Sequence, residues 1–227
     1  YDSRDPGMLR EASGDYLAAA DRDIKGLRIA WSPDYGYAAV DPEVIEVTSE
    51  AAGTFEQLGC SVDECNLTFD SPVDPWRVFC ATNAYAAYGH LLESHNDDLT
   101  WYARESIEGG KAITGADYAR ALGQRNRMRA QVADLFENFD LLLSPTMPVT
   151  AFPVGQYPKQ IGGREVSPVW DFIALTHPVN TVGHPAATVP CGFSADGMPI
   201  GLHIIGRRGD EETVIAASAA FEKARPW

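Results

Sequence analysis

The sequence predicts an α/β fold, and three observations predict it. A strand, a helix and a second strand succeed one another between residues 26 and 65. Residues 74–139 then read as helix with two interruptions, and residues 186–206 read as two strands around a turn. Strand, helix, strand at that spacing is a βαβ unit, which implies a parallel pair joined by a right-handed crossover.

Each element follows from its residues. "GLRIAWSP" (26–33) is a short β-branched and aromatic run closed by Pro33. Asp41 is a helix cap and Pro42 fits the first helical position, after which Val44, Val47, Thr48, Ala51, Phe55 and Leu58 recur at helical spacing until Gly59. "CSVDEC" (60–65) alternates as a strand does. The helical stretch breaks near "ESHNDD" and "EGG", and its best piece, Asp117 to Phe139, lays Met128, Val132, Leu135, Phe136 and Phe139 on one face. "DLLLSP" (140–145) is a continuous apolar strand ended by Pro145. Thr146 to Val169 carries Pro148, Pro153, Pro158 and Pro168 with Gly155, Gly162 and Gly163, which predicts a loop longer than a mere connection needs. "AATVPCGF" (186–193) and "PIGLHIIG" (199–206) flank the turn "SADGMP", and a last helix starts near Asp210 with Val214, Ile215, Ser218 and Phe221 inward.

Composition limits the function classes. A net charge of −14, from 32 acidic and 18 basic residues, repels phosphate backbones and anionic membranes, so neither nucleic acid nor membrane is predicted as a partner. No apolar run approaches the ~20 residues that span a bilayer, and "YDSRDPGMLR" lacks the pattern of a signal peptide. Four cysteines, none spaced as CxxC, fit reduced thiols, so the expected location is the cytoplasm; the sequon "NLT" (66–68) then carries no glycan. The first residue is Tyr1 and the first methionine Met8, which fits a chain beginning mid-protein.

The chemistry is sparse. Cys191 with His184 or His203 as base would make a thiol nucleophile, whereas packing of a small buried side chain after Pro190 is the plainer reading. His90 and His95 are five apart and do not share a helix face, so no metal site is predicted; the glycine pairs match no nucleotide loop, and no cofactor is predicted. "RGD" (208–210) coincides with a helix start, where Asp210 has a capping role. None of the twelve serines lies in GxSxG or three residues before a lysine, and the four lysines sit in polar or terminal contexts.

Two stretches resemble the C-terminal half of the amidase signature family: "DYARALGQRNRMRAQVADLFENFDLLLSPTMPVTAFPVG" and "FIALTHPVNTVGHPAATVPCGFSADGMPIGLHIIGRRGDEETVIAASAAFEKARPW". They carry a strand ending in Pro-Thr-x-Pro, an Asn-x-x-Gly-x-Pro turn, Pro-x-Gly, Gly-x-Pro-x-Gly and a closing helix, and Asp2 to Ala30 is similar to the family's mid-chain. The resemblance implies the C-terminal part of one α/β domain with a mixed β-sheet covered by helices. In that reading 1–73 is the βαβ unit, 74–139 the helical region, and 140–227 the strands, pocket loop and closing helix. It also implies hydrolysis of carboxamides by a serine nucleophile, a second serine on a cis peptide and a lysine base, with backbone N–H groups holding the oxyanion. All three lie in the family's N-terminal half, so no catalytic residue is assigned here, and that half is the expected partner.

By the same resemblance Thr146, Met147, Trp170, Ile173, Thr176 and Asn180 are expected to line the acyl side of a substrate pocket. Ile173 stands where members that deamidate glutamine carry Asp, and His203 where Gln is common. The alternative is a non-catalytic scaffold or binding module derived from the same fold. Because half of a sheet-centred domain exposes apolar edges, the isolated chain is expected to self-associate.

Overall fold

The structure, a computed structural model, describes residues 4, 14–69 and 73–226. Residues 2, 3 and 5–13 of the opening segment that resembles the family's mid-chain therefore lie outside the described residues. In chain order the elements are α1 (Tyr16–Ala19), β1 (Arg28–Trp31), α2 (Pro42–Gln57), β2 (Ser61–Glu64), α3 (Val73–Tyr88), α4 (Leu91–Ser94), α5 (Trp101–Gly110) and α6 (Gly115–Asn138). Then follow β3 (Leu141–Pro145), β4 (Gln160–Ile161), β5 (Arg164–Glu165), α7 (His177–Val182), β6 (Ala186–Phe193), β7 (Pro199–Gly206) and α8 (Glu211–Ala224).

Five strands form one mixed sheet in the order β2-β1-β3-β7-β6. β1 pairs parallel with both β2 and β3, and β7 runs antiparallel to β3 and β6. The βαβ unit is therefore present, and the antiparallel pairs come from the 186–206 hairpin. β3 lies at the centre with all five residues buried, as its unbroken apolar run requires. β6 is an edge strand, which accommodates Pro190 without a lost ladder bond.

Helix α2 starts as its sequence dictates, with the Asp41 carboxylate accepting the Glu43 N–H at 2.9 Å and Pro42 in the first turn. Val44, Thr48, Ala51 and Phe55 are buried along one side, and Phe55 stacks on Phe221 of α8 with centroids 5.5 Å apart. Asp210 caps α8 through the Thr213 N–H at 3.2 Å. Asp140, just before β3, gathers three strands: it accepts from the Arg28 N–H (2.9 Å), the Arg28 guanidinium (3.3 Å) and Arg207 at the end of β7 (2.8 Å).

Three local features differ from expectation. α6 begins two residues before Asp117, because Thr114 and Asp117 form a reciprocal capping box that sets the start. The proline-rich loop holds a two-residue hairpin, β4–β5, whose turn needs Gly162: its φ is 54°, and a Cβ there would come within 2.6 Å of the Val40 carbonyl oxygen. The segment before β6 coils into α7, with Pro178 in its first turn and Gly183 closing it at φ 79°.

Candidate functional site

The site is built on the loop between β3 and α7. The Thr146 N–H donates to the Gly201 carbonyl at 2.9 Å, continuing the β3–β7 pairing, and the Pro148 carbonyl accepts from Asp41 N–H at 2.8 Å. Farther along, Arg164 donates to the carbonyls of Ala38 (3.0 Å) and Tyr37 (3.1 Å), and the Tyr37 hydroxyl donates to the Ala174 carbonyl. These bonds pin a long loop to the segment after β1 at several points, so its side chains are held in place.

Two cavities open on either side of Phe172. One, of about 410 Å³, is lined by Met147, Phe152, Ile200 and Gly201. The other, of about 660 Å³, lies between α3, α5 and the loop and is walled by Trp101, Tyr102, Tyr157 and Trp170, with Arg77 and Glu105 as its charged members. Phe172 lines both. Its ring meets Phe152 edge-on at 5.5 Å, and Tyr157 lies 5.7 Å from Phe172 and 5.8 Å from Trp101, so the aromatic wall is continuous. Cavities of this size, apolar with few polar groups, suit small molecules.

The six expected residues fall into two sets. Met147 lines the smaller cavity, and Thr146 stands beside it, its hydroxyl 3.3 Å from that of Thr188. The other four form a ladder of backbone bonds, Ile173 N–H to Trp170, Thr176 N–H to Ile173 and Asn180 N–H to Thr176, at 3.1–3.3 Å. Of these Trp170 lines the larger cavity, Ile173 and Thr176 are half-buried, and Asn180 is exposed on α7.

Sequence reasoning passed over His177, which lies within this ladder. It is 1% exposed, stacked on Trp76 at 5.2 Å and tilted against Trp170 at 6.0 Å, and neither ring nitrogen has a hydrogen-bond partner among the described residues. Burial pulls its pKa down to about 4 against the opposing charge of Asp171, so the ring is neutral. The Thr-His-Pro text gave no periodicity to mark it. Also missed was Tyr35, a buried residue at φ 53° whose hydroxyl lies 2.7 Å from Ser144 Oγ. Burial raises that phenol well above its ordinary value, which makes it a fixed hydrogen-bonding group.

The candidates that looked most reactive in the sequence are structural. Cys191 sits at an irregularity of β6, 3% exposed, with its thiol directed at the Ile200 carbonyl (3.4 Å). Burial pushes the thiol up to about 12, so it holds almost no thiolate. His184 donates from Nδ1 to the Gly206 carbonyl at 2.9 Å and stacks on Phe136. His203 lies inside the sheet between Ser144 and Thr188, with burial lowering its pKa to about 4. Among the described residues no three His, Cys, Asp or Glu side chains gather as a metal would need, and no helix is long and apolar enough to cross a membrane.

Comparison with known proteins places this geometry. The sequence pattern of the family described as Amidase matches residues 1–215. An acylamidase of Rhodococcus erythropolis is 35% identical over 232 residues, covering 100% of this chain and 48% of that protein. One component of the glutamyl-tRNA(Gln) amidotransferase of Lacticaseibacillus casei is 31% identical, over 98% of this chain and 50% of its own length. Among solved structures, a bacterial aryl acylamidase of the amidase signature enzymes superposes with a TM-score of 0.89 at 32% identity, over 100% of this chain and 49% of that one. The chain spans about half the length of the relatives it matches.

Proposed function

The chain belongs to the amidase signature family, and from that premise we propose that it is the C-terminal portion of a hydrolase that splits the C–N bond of a carboxylic acid amide into acid and ammonia or amine. The observation that carries this reading is the superposition of the whole chain on about half of an aryl acylamidase.

In this reading the rest of the protein supplies the nucleophilic serine, the bridging serine and the lysine base, and this chain supplies the wall against which the amide is held. Thr146, Met147, Trp170, Ile173, Thr176 and Asn180 form that wall, with Phe172 between its two parts. An apolar wall does two things for such chemistry. It excludes water from the acyl intermediate, and it disfavours the charged form of a nearby lysine, which keeps the base neutral and competent. The aromatic lining of the larger cavity supports an aryl or apolar amide over glutamine, as does Ile173 at a position where an acidic partner for an amino group would be useful. No cofactor is required, and the expected location is the cytoplasm.

The partner surface in this reading is the open edge of β6, an eight-residue edge strand with Phe193 60% exposed at its end. Without that partner, self-association through the same edge is expected.

The test is reconstitution. This chain and the preceding half of its polypeptide are prepared separately, and release of 4-nitroaniline from 4-nitroacetanilide is followed for each alone and for the mixture. Turnover only in the mixture is the expected result. Turnover by this chain alone would mean that its own residues hold an engine. A complete polypeptide that binds amides and cleaves none would make it a scaffold.

A further inference from the structure

A third cavity, of about 400 Å³, lies where the C-terminal part of α6, the end of α7 and the end of β7 meet. Its charged members are Arg129, Arg207, Arg208 and Glu137, with His184 on the wall. Arg207 is paired with Asp140, which leaves Arg129 and Arg208 against Glu137, a local excess of positive charge on a chain of net charge −14. It shares no lining residue with the two cavities around Phe172.

The three arginines are not equivalent. Arg207 is committed to the fold: it donates to the carbonyls of Phe136 (2.9 Å) and Phe139 (2.8 Å), closing the end of α6, and to Asp140 at 2.8 Å. Among the described residues Arg129 has one weak partner, the Val182 carbonyl at 3.3 Å from its Nε, and no carboxylate. Arg208 is exposed and has no hydrogen-bond or ion-pair partner among the described residues. Burial, together with the charges of Arg125 and Arg208, lowers the Arg129 pKa, so the cluster is held together against its own repulsion. A guanidinium does not deprotonate to relieve such strain; an anion does.

We propose that this cavity binds a compact, doubly charged oxyanion, a phosphate group or a small dicarboxylate, held by the free forks of Arg129 and Arg208. Bidentate contact with oxyanions is what the planar guanidinium offers, and two forks on one cavity match two negative charges. The overall negative charge and Glu137 select against long polyanions, which would be repelled beyond the cavity rim. His184 spends Nδ1 on the Gly206 carbonyl, which leaves Nε2 as its remaining polar atom.

The test uses the complete polypeptide and isothermal titration with inorganic phosphate and, separately, malonate, each at low salt. Binding of one or both is expected, with affinity falling about tenfold in Arg208→Gln and in Arg129→Gln, the loss of one charge-assisted contact. Which probe binds decides between the phosphoryl and carboxylate sources. Arg208→Gln is the decisive variant, since Arg208 carries no bond of the fold. Arg127→Gln, on the exposed side of α6, is the control and should leave affinity unchanged. Binding of neither probe overturns the proposal, as it would if the rest of the polypeptide already fills the cavity with a carboxylate of its own. Equal affinity in Arg208→Gln and the parent, or an equal loss in Arg127→Gln, overturns it as well.

Discussion

The sheet and the helical layer beside it treat buried polar atoms differently. Among the described residues, eight buried side-chain nitrogen or oxygen atoms have no protein hydrogen-bond partner. Seven belong to Trp76, Thr82, Arg104, Arg125, His177 and Thr181, on α3, α5, α6 and α7, and only His203 Nδ1 lies in the sheet. Each such group costs about 1–3 kcal/mol when left unpaired. Within this chain, therefore, the sheet satisfies its buried polar side chains almost throughout, and the helical layer beside the aromatic cavity does not.

Removing core volume on the sheet side should have the largest effect. Phe55 is fully buried and stacked on Phe221, so Phe55→Ala should cost about 3–5 kcal/mol in urea unfolding. A loss below about 1 kcal/mol would mean that the α2–α8 contact is loose and that the contrast between the two regions is misdrawn.

Acid sharpens the comparison, because each region holds one buried neutral histidine. His177 and His203 are both held near 4, against about 6.5 in an unfolded chain. A lowered pKa in the folded state means that the stabilisation is fully present above about 6.5 and is lost as the pH falls towards 4. Each group contributes a slope of about 1.4 kcal/mol per pH unit in that window, roughly 3 kcal/mol for each histidine. Urea midpoints taken from pH 7 to 4.5 should fall steeply, and His203→Gln should make that fall shallower, with His177 and the half-buried His184 supplying the remainder. If His177→Gln removes nothing, water reaches that ring and the helical layer is open there.

How far these regions were legible in the sequence follows the same division. The sheet elements were readable because β3 and the hairpin strands are apolar runs closed by Pro145 and by the turn at Gly197, signals local to each segment. α2 and α8 were readable from Asp41, Asp210 and their periodicity. What could not be read depends on contacts distant in sequence. The aromatic wall joins Trp101 to Tyr157 and Phe172, and His177 acquires its character from Trp76, which no spacing rule connects to it. Thr146, Met147, Trp170, Ile173, Thr176 and Asn180 came from resemblance to a family, and the residues themselves gave only a mixture of apolar and small polar types. Even the capping box at Thr114 was passed over, because the apolar stripe of α6 begins later than its cap.

A smaller effect tests the join between strands. Asp140 is partly buried, and although burial works against its charge, the bonds from Arg28 and the positive charge of Arg207 outweigh it and hold the carboxyl below its ordinary value. Its contribution is therefore present at neutral pH and disappears only as the pH falls below the usual aspartate range. Both arginines are substantially exposed, so solvent screening limits the effect: Asp140→Asn should cost about 1–2 kcal/mol, less in 1 M salt. A salt-independent loss would assign the effect to packing at the strand ends.

The smallest expected effect is the most informative about the helical layer. Trp76 stacks on His177 while its indole N–H has no partner among the described residues. Trp76→Phe keeps an aromatic face against the imidazole and deletes the unpaired donor, so lost area and relieved desolvation oppose each other. The net change in unfolding free energy of this chain should lie within about 0.5 kcal/mol of zero, where the same truncation of a satisfied core tryptophan would cost more. In the reconstituted enzyme the outcome should differ. If the N–H meets a group from the rest of the protein, Trp76→Phe weakens assembly or turnover while leaving the isolated chain as stable as before. An equal and large loss in both settings would show that the donor is already satisfied within this chain, and that the two regions are finished alike.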